Sequence, residues 1–198
     1  MRIIGGAQRG RKLLPPADRS IRPALDRIRE AIFNVIGDRV ERASVLDLFA
    51  GVGAFGLESL SRGARHVRFV DASRGSVAIL CKNVSHLGYG AFSTVDRADA
   101  FTTPDVATGD GADVEMAYDL IFLDPPFPLF KDADEAARVF TRVRELREAF
   151  EGALIILRQP KWYRGRPLPG PSDMRDYGES SVFFLDRDIG TARRLSED

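Results

Sequence analysis

A chain of 198 residues is long enough for one domain with a substantial core, and its apolar and charged fractions are those of an ordinary globular protein. It has no apolar run long enough to span a membrane, and residues 1–6 lack a secretory leader pattern. One cysteine and two histidines exclude an internal disulfide framework and argue against a zinc site, so a reducing, cytoplasmic setting without metal is expected; a monomer is expected as well. Formal net charge is zero, yet residues 1–30 hold eight basic side chains against three acidic ones. A basic N-terminal segment on an acidic body fits either a footprint for a polyanion or a solvated polar arm.

In chain order, residues 2–4 suit a short strand, while Gly5-Gly6 and Pro15-Pro16 punctuate a loop. From Pro23 the periodicity turns helical, with Leu25, Ile28, Ile32, Val35 and Ile36 on one face and Gly37 as the stop. Residues 44–49 read as a buried strand, 57–63 as a helix ended by Gly63, and 66–71 as a second strand. A helix from about Ser73 carries Val77, Leu80, Cys81, Val84 and Leu87 inward and closes at Gly88. Residues 92–96 form a weaker strand, and 101–117 have the least ordered composition. Residues 118–124 form a fourth strand, 132–150 a helix with Ala136, Val139, Phe140, Val143, Leu146 and Phe150 inward, and 153–157 a fifth strand. Residues 160–173 read as loop, and 174–177 with 181–185 as a final strand pair around Gly178. Alternating strands and helices imply a parallel sheet covered on both faces, binding ligands beyond the C-terminal ends of its strands.

Gly51-Val52-Gly53-Ala54-Phe55-Gly56 matches G-x-G-x-x-G between a strand and a helix. Glycine there lets a backbone approach a ligand closely. A dinucleotide and S-adenosylmethionine both suit such a loop, and both call for an acid after the second strand, here Asp71, to accept from ribose hydroxyls. Three features favour S-adenosylmethionine. Asp47, inside the first strand, can help organise a cationic methionine moiety but would repel a pyrophosphate. Asp99, after the third strand, can accept from an adenine amino group, although it also suits a helix N-cap. Finally, Asp124-Pro125-Pro126-Phe127 ends the fourth strand.

The prolines make a stiff corner whose carbonyls stay out of any ladder. An exocyclic amine can donate to the Asp124 carboxylate and to a corner carbonyl, that of Pro125, while its base stacks on Phe127. Because a sulfonium is a strong electrophile, proximity and in-line orientation supply much of the rate and no metal is required. A ligand-bound methyl pointing away from the corner, or an Asp124 carboxylate sealed in a buried ion pair, would be incompatible with this chemistry.

Together these motifs resemble the RsmD family, bacterial small-subunit ribosomal RNA guanine-N2 methyltransferases. The likeness is carried by Arg2-Ile3-Ile4-Gly5-Gly6 with Arg9-Gly10-Arg11-Lys12-Leu13, by Arg22-Pro23 with residues 26–34, by residues 46–58, and by the corner at 124–127. It implies a Rossmann-like class I methyltransferase fold, α/β, with a mostly parallel seven-stranded sheet whose last strand is antiparallel. A basic hairpin over 1–22 would precede the methyltransferase domain over 23–198. The resemblance further implies that Asp124, Pro125, Pro126 and Phe127 serve catalysis. Asp47, Phe49, Ala50, Gly51, Gly53, Asp71, Asp99 and Ala100 would hold S-adenosyl-L-methionine. Arg9, Arg11, Lys12, Arg22 and Arg27 would contact 16S ribosomal RNA or an assembling small subunit.

The sequence departs from the family pattern in places. Asp71 stands where Glu is usual, Val52 where Ser is frequent, and Phe55 where Leu is frequent. Arg158-Gln159-Pro160 stands where an acidic residue is expected. Methylation of DNA adenine or a protein glutamine, and a non-catalytic role in ribosome assembly, are the alternatives. The first would more often carry an Asn-to-Tyr version of the corner and would lack the N-terminal signatures.

Overall fold

The computed structural model describes residues 1–15, 24–103, 117–165 and 173–186. The expected helix start at Pro23, the boundary at residue 22, and much of the 101–117 and 160–173 stretches lie outside them. Contacts group the chain into two units, Met1–Thr103 and Pro104–Asp198.

The first unit opens with a hairpin-like loop rather than a strand. Arg2 and Lys12 form an isolated antiparallel bridge, and Ile3 and Leu13 turn inward to full burial. Helix α1 (Ala24–Ile36) buries Ile28, Ile32, Phe33 and Ile36, whereas Val35 stays half-buried. Each full burial is worth about 1.5–3 kcal/mol. A 3-10 turn at Gly37–Val40 then leads to β1 (Ser44–Leu48). Helix α2 (Ala54–Ser61) starts three residues before the expected position, directly after Gly53. Gly56 does not loosen the chain there. A Cβ at Gly56 would lie 2.2 Å from the Phe69 ring, so this glycine lets α2 settle on β2 (His66–Val70).

Helix α3 (Arg74–Leu87) is capped by the Ser73 hydroxyl, which accepts from the Ser76 amide, and is closed by Gly88 in the left-handed region. Leu80, Val84 and Leu87 are buried on it, but Cys81 is exposed, contrary to its expected inward position. Strand β3 is Ser93–Asp96. The three strands of this unit are parallel, with β2 pairing both β1 and β3.

In the second unit β4 (Leu120–Leu123) pairs in parallel with β5 (Leu154–Pro160), which runs three residues further than the expected 153–157. Helix α4 (Ala133–Ala149) begins where the Asp132 carboxylate accepts from the Asp134 and Glu135 amides. Its Ala136, Val139, Val143 and Leu146 are buried, while Phe140 and the following Phe150 are half-buried. Strands β6 (Asp173–Tyr177) and β7 (Ser180–Leu185) turn at Gly178, whose φ is +57°. Strand β7 is antiparallel to both β5 and β6. The seven strands thus belong to a mostly parallel sheet flanked by helices, with β7 alone reversed.

Candidate functional site

The glycine loop of the first unit is shaped by backbone conformation. Phe49, Gly51 and Gly53 all have positive φ, +59°, +57° and +88°. At Gly53 a side chain would strike Leu80, so its smallness serves packing. At Gly51 a Cβ would meet nothing within 4 Å, so this residue presents backbone to open space. The loop is tied to the strand tips. The Ala50 amide donates to the Val70 carbonyl at 3.1 Å, and the Gly51 amide donates to Asp71 Oδ2 at 2.7 Å. Asp71 Oδ1 accepts from the Ser73 amide at 2.8 Å. Asp47 lies buried beneath the loop, and its Oδ2 accepts from the Gly56 amide at 2.9 Å.

Asp99 does not cap a helix. It heads a turn, its carboxylate accepting from the Phe101 amide at 3.0 Å and its carbonyl from the Thr102 and Thr103 amides. Ala100 behind it is buried. Phe101, which the sequence reading passed over, packs edge-on against Phe49 with ring centroids 5.3 Å apart. A phenylalanine two residues after a strand-end acid was the available signal. These residues fit S-adenosylmethionine: open backbone at Gly51, a half-exposed carboxylate at Asp71 with lone pairs left for ribose hydroxyls, and an exposed acid at Asp99.

The basic residues of the hairpin divide. Arg9 and Arg27 line one cavity of about 490 Å³ together with Arg2, Asp26 and Glu30. Arg11 points elsewhere, donating to the His86 carbonyl at 3.1 Å, and Lys12 is exposed. Arg22 lies outside the described residues. The hairpin is held from below by Glu58 of α2, which is completely buried and accepts from the Ile4 and Gly5 amides, each at 2.8 Å, and from Arg62 Nε at 2.8 Å. Arg29 joins the cluster, its Nε 3.6 Å from Glu58 and its Nη2 donating to the Arg2 carbonyl. Burial lowers the Arg29 pKa, against the opposing pull of Glu58 and Asp26.

In the second unit the corner stands at the tip of β4. Pro125 is buried and Pro126 exposed. The Leu129 amide donates to the Pro126 carbonyl at 3.0 Å, opening the 3-10 turn Phe127–Lys131. The Pro126 carbonyl is thus engaged in a turn and not in a ladder, while that of Pro125 accepts no hydrogen bond among the described residues.

The corner also holds a partner that the sequence reading did not assign. Arg158 Nε donates to Asp124 Oδ1 at 2.5 Å, and its guanidinium carbon lies 4.7 Å from the centroid of the Phe127 ring. The pair is not sealed in the interior, the two side chains being 15% and 21% exposed, and Asp124 Oδ2 takes no hydrogen bond among the described residues. The signal lies in the strand register. Leu123 pairs with Leu157 in parallel register, so the next residue on each strand must be neighbours. Gln159 is buried and donates to the Tyr163 and Gly165 carbonyls, anchoring the segment after β5.

Among the described residues no helix is long and apolar enough to cross a membrane, and no cluster of His, Cys, Asp and Glu could hold a metal ion.

Fold and relatives define a class I S-adenosylmethionine-dependent methyltransferase. More particularly, residues 1–184 match the family described as Conserved hypothetical protein 95, and the chain belongs to that family. The Ribosomal RNA small subunit methyltransferase D of Escherichia coli is 38% identical over 128 residues, 64% of this chain and 60% of that protein. The Bacillus subtilis protein YlbH is 39% identical over 127 residues, 64% of this chain and 67% of its own length. The matched stretch thus spans about two thirds or less of these curated relatives. The solved structure of the Escherichia coli protein yhhF superposes with a TM-score of 0.73 at 27% identity, covering 94% of this chain and 98% of the other.

Proposed function

We propose that this chain transfers a methyl group from S-adenosylmethionine to the exocyclic N2 of a guanine in small-subunit (16S) ribosomal RNA. The observation that carries the reading is the β4 corner, where a carboxylate, a proline-fixed carbonyl and an aromatic ring are presented together. The 38% identity to a relative named as a small-subunit ribosomal RNA methyltransferase supports the choice of RNA.

In this reading Phe49, Ala50, Gly51 and Gly53 supply backbone to the cofactor, with Asp47 bracing the loop from below. Asp71 accepts from the ribose, and Asp99 with Ala100 borders the adenine. The bound cofactor supplies a sulfonium methyl, an electrophile strong enough for a weak aryl amine. Asp124 Oδ2 and the Pro125 carbonyl accept the two N–H groups of that amine. They orient its nitrogen lone pair and counter its delocalisation into the ring. Pro126 stiffens the corner, and Phe127 stacks on the base. Arg9, Arg11, Lys12, Arg22 and Arg27 grip phosphates.

The test is nucleoside analysis of small-subunit RNA, as naked RNA and as particles, after incubation with the protein and labelled cofactor. N2-methylguanosine is expected, and Asp124→Ala should abolish it while retaining cofactor affinity. A methyladenine product would overturn the reading.

A further inference from the structure

Where a base is expected to stack on Phe127, the chain places a guanidinium of its own. Arg158 meets the corner in three ways. Its Nε donates to Asp124 Oδ1 at 2.5 Å, its Nη1 donates to Ser180 Oγ at 3.2 Å, and its guanidinium carbon lies over the Phe127 ring, 4.7 Å from the centroid. All three partners belong to the second unit. A guanidinium is flat and offers adjacent N–H donors along its edge, so it suits a carboxylate and an aromatic face at once.

Guanine contains the same chemical unit. Its N1, C2, N2 and N3 form a guanidine built into the ring, with the N1–H and N2–H donors side by side and a flat face beneath. Adenine offers its amino group beside a bare ring nitrogen, which a carboxylate repels. Cytosine presents the same donor-beside-acceptor edge.

We infer that Asp124, Phe127 and Ser180 form a guanidine-recognising site, which Arg158 fills in the free protein and which the N1–C2–N2 edge of the target guanine takes over. The inference rests on the guanine-N2 reading and deepens it, naming what selects the base. Arg158 is a positioning residue. It holds the Asp124 carboxylate in place, and it withdraws on its flexible stem when the substrate enters. The pair is 15% and 21% exposed, so water can reach both charges as they part. Since among the described residues only one Asp124 oxygen is engaged, the second can receive the first N–H of the incoming amine before Arg158 leaves.

The experiment is calorimetric titration of guanosine into the full chain and into Arg158→Ala and Arg158→Lys, each checked for an unchanged melting temperature. A side chain occupying the site nine-tenths of the time weakens apparent affinity about tenfold. Both variants are therefore expected to bind guanosine about tenfold more tightly than the parent. Lys is included because it keeps the charge but lacks the planar fork. Methylguanidinium should compete with guanosine for Arg158→Ala, with tetramethylammonium as the ionic control, and adenosine should gain nothing from either substitution. Equal guanosine affinity in all three proteins, or weaker binding by a normally folded Arg158→Ala, would overturn the inference. If the variants melt early, methylguanidinium competition at the parent protein decides: competition supports the site, and none overturns it. An N2-methylguanosine product with no change in calorimetry defeats this inference alone, whereas a methyladenine product defeats the parent reading.

Discussion

The Gly51 amide donates to Asp71 Oδ2 across the tips of β1 and β2 at 2.7 Å. The short Asp side chain, which departs from the family's usual Glu, closes the glycine loop directly and takes a second hydrogen bond from Ser73. A hydrogen bond to a charged acceptor is worth about 1.5–3 kcal/mol. Asp71→Ala should therefore weaken S-adenosylmethionine binding by at least about tenfold. Isothermal calorimetry checks it, and unchanged affinity would remove Asp71 from the cofactor site.

Phe127 should matter to RNA and not to cofactor. Loss of one base–aromatic stack costs about 1–3 kcal/mol. Phe127→Ala is expected to raise the KM for RNA in steady-state methylation by that equivalent, with S-adenosylmethionine affinity held. Parallel loss of both would contradict the assigned division of roles.

The hairpin arm is expected to bind through phosphate. Each phosphate contact contributes about 0.7–0.9 to the slope of log affinity against log salt. Arg9, Arg11 and Lys12 changed together to Ala should flatten that slope by about 2. Filter binding over a range of salt concentrations measures it, and an unchanged slope would clear the arm of RNA contact.

Glu58 is a structural acid. Removing it takes from the buried Arg29 guanidinium one of its two acids, leaving Asp26 at 3.2 Å, and frees two hairpin amides. Breaking one half of a buried pair costs about 3–5 kcal/mol. Glu58→Ala should lower unfolding free energy by about that much in urea. The double change with Arg29→Met should cost less than the sum of the two single changes.

His66 gives stability a pH dependence. Burial, and secondarily Arg65, lowers its imidazole pKa below the ordinary 6.5. The unfolded chain therefore takes up a proton that the folded chain refuses. Stability from this group is full above 6.5 and is lost as pH falls through that value towards the folded pKa. Urea titrations between pH 8 and pH 5 should show the decline, and His66→Gln should flatten it.

Much of this was readable from the chain. Ser73 and Gly88 bracket α3 where a capping hydroxyl and a left-handed glycine belong. The run before Gly51 and the corner at 124–127 both fall at strand ends. Local chemistry determines such features. What escaped depends on neighbours far away in sequence. Gly56 looked like part of a loop because the Phe69 ring that demands it lies on another strand. Cys81 looked buried because periodicity alone does not say how wide the covered stripe is. The place of Arg158 becomes visible only once β4 and β5 are set in register.

The hairpin is more than pinned at Glu58. Gly6 lies so close to the Ser61 carbonyl that a Cβ there would overlap it, while the Ser61 hydroxyl donates to the Gly5 carbonyl and accepts from the Gln8 amide. The arm and α2 are therefore one inheritable part. Anyone grafting an arm from a relative to redirect the enzyme towards a different transcript would have to transplant the supporting helix face along with it.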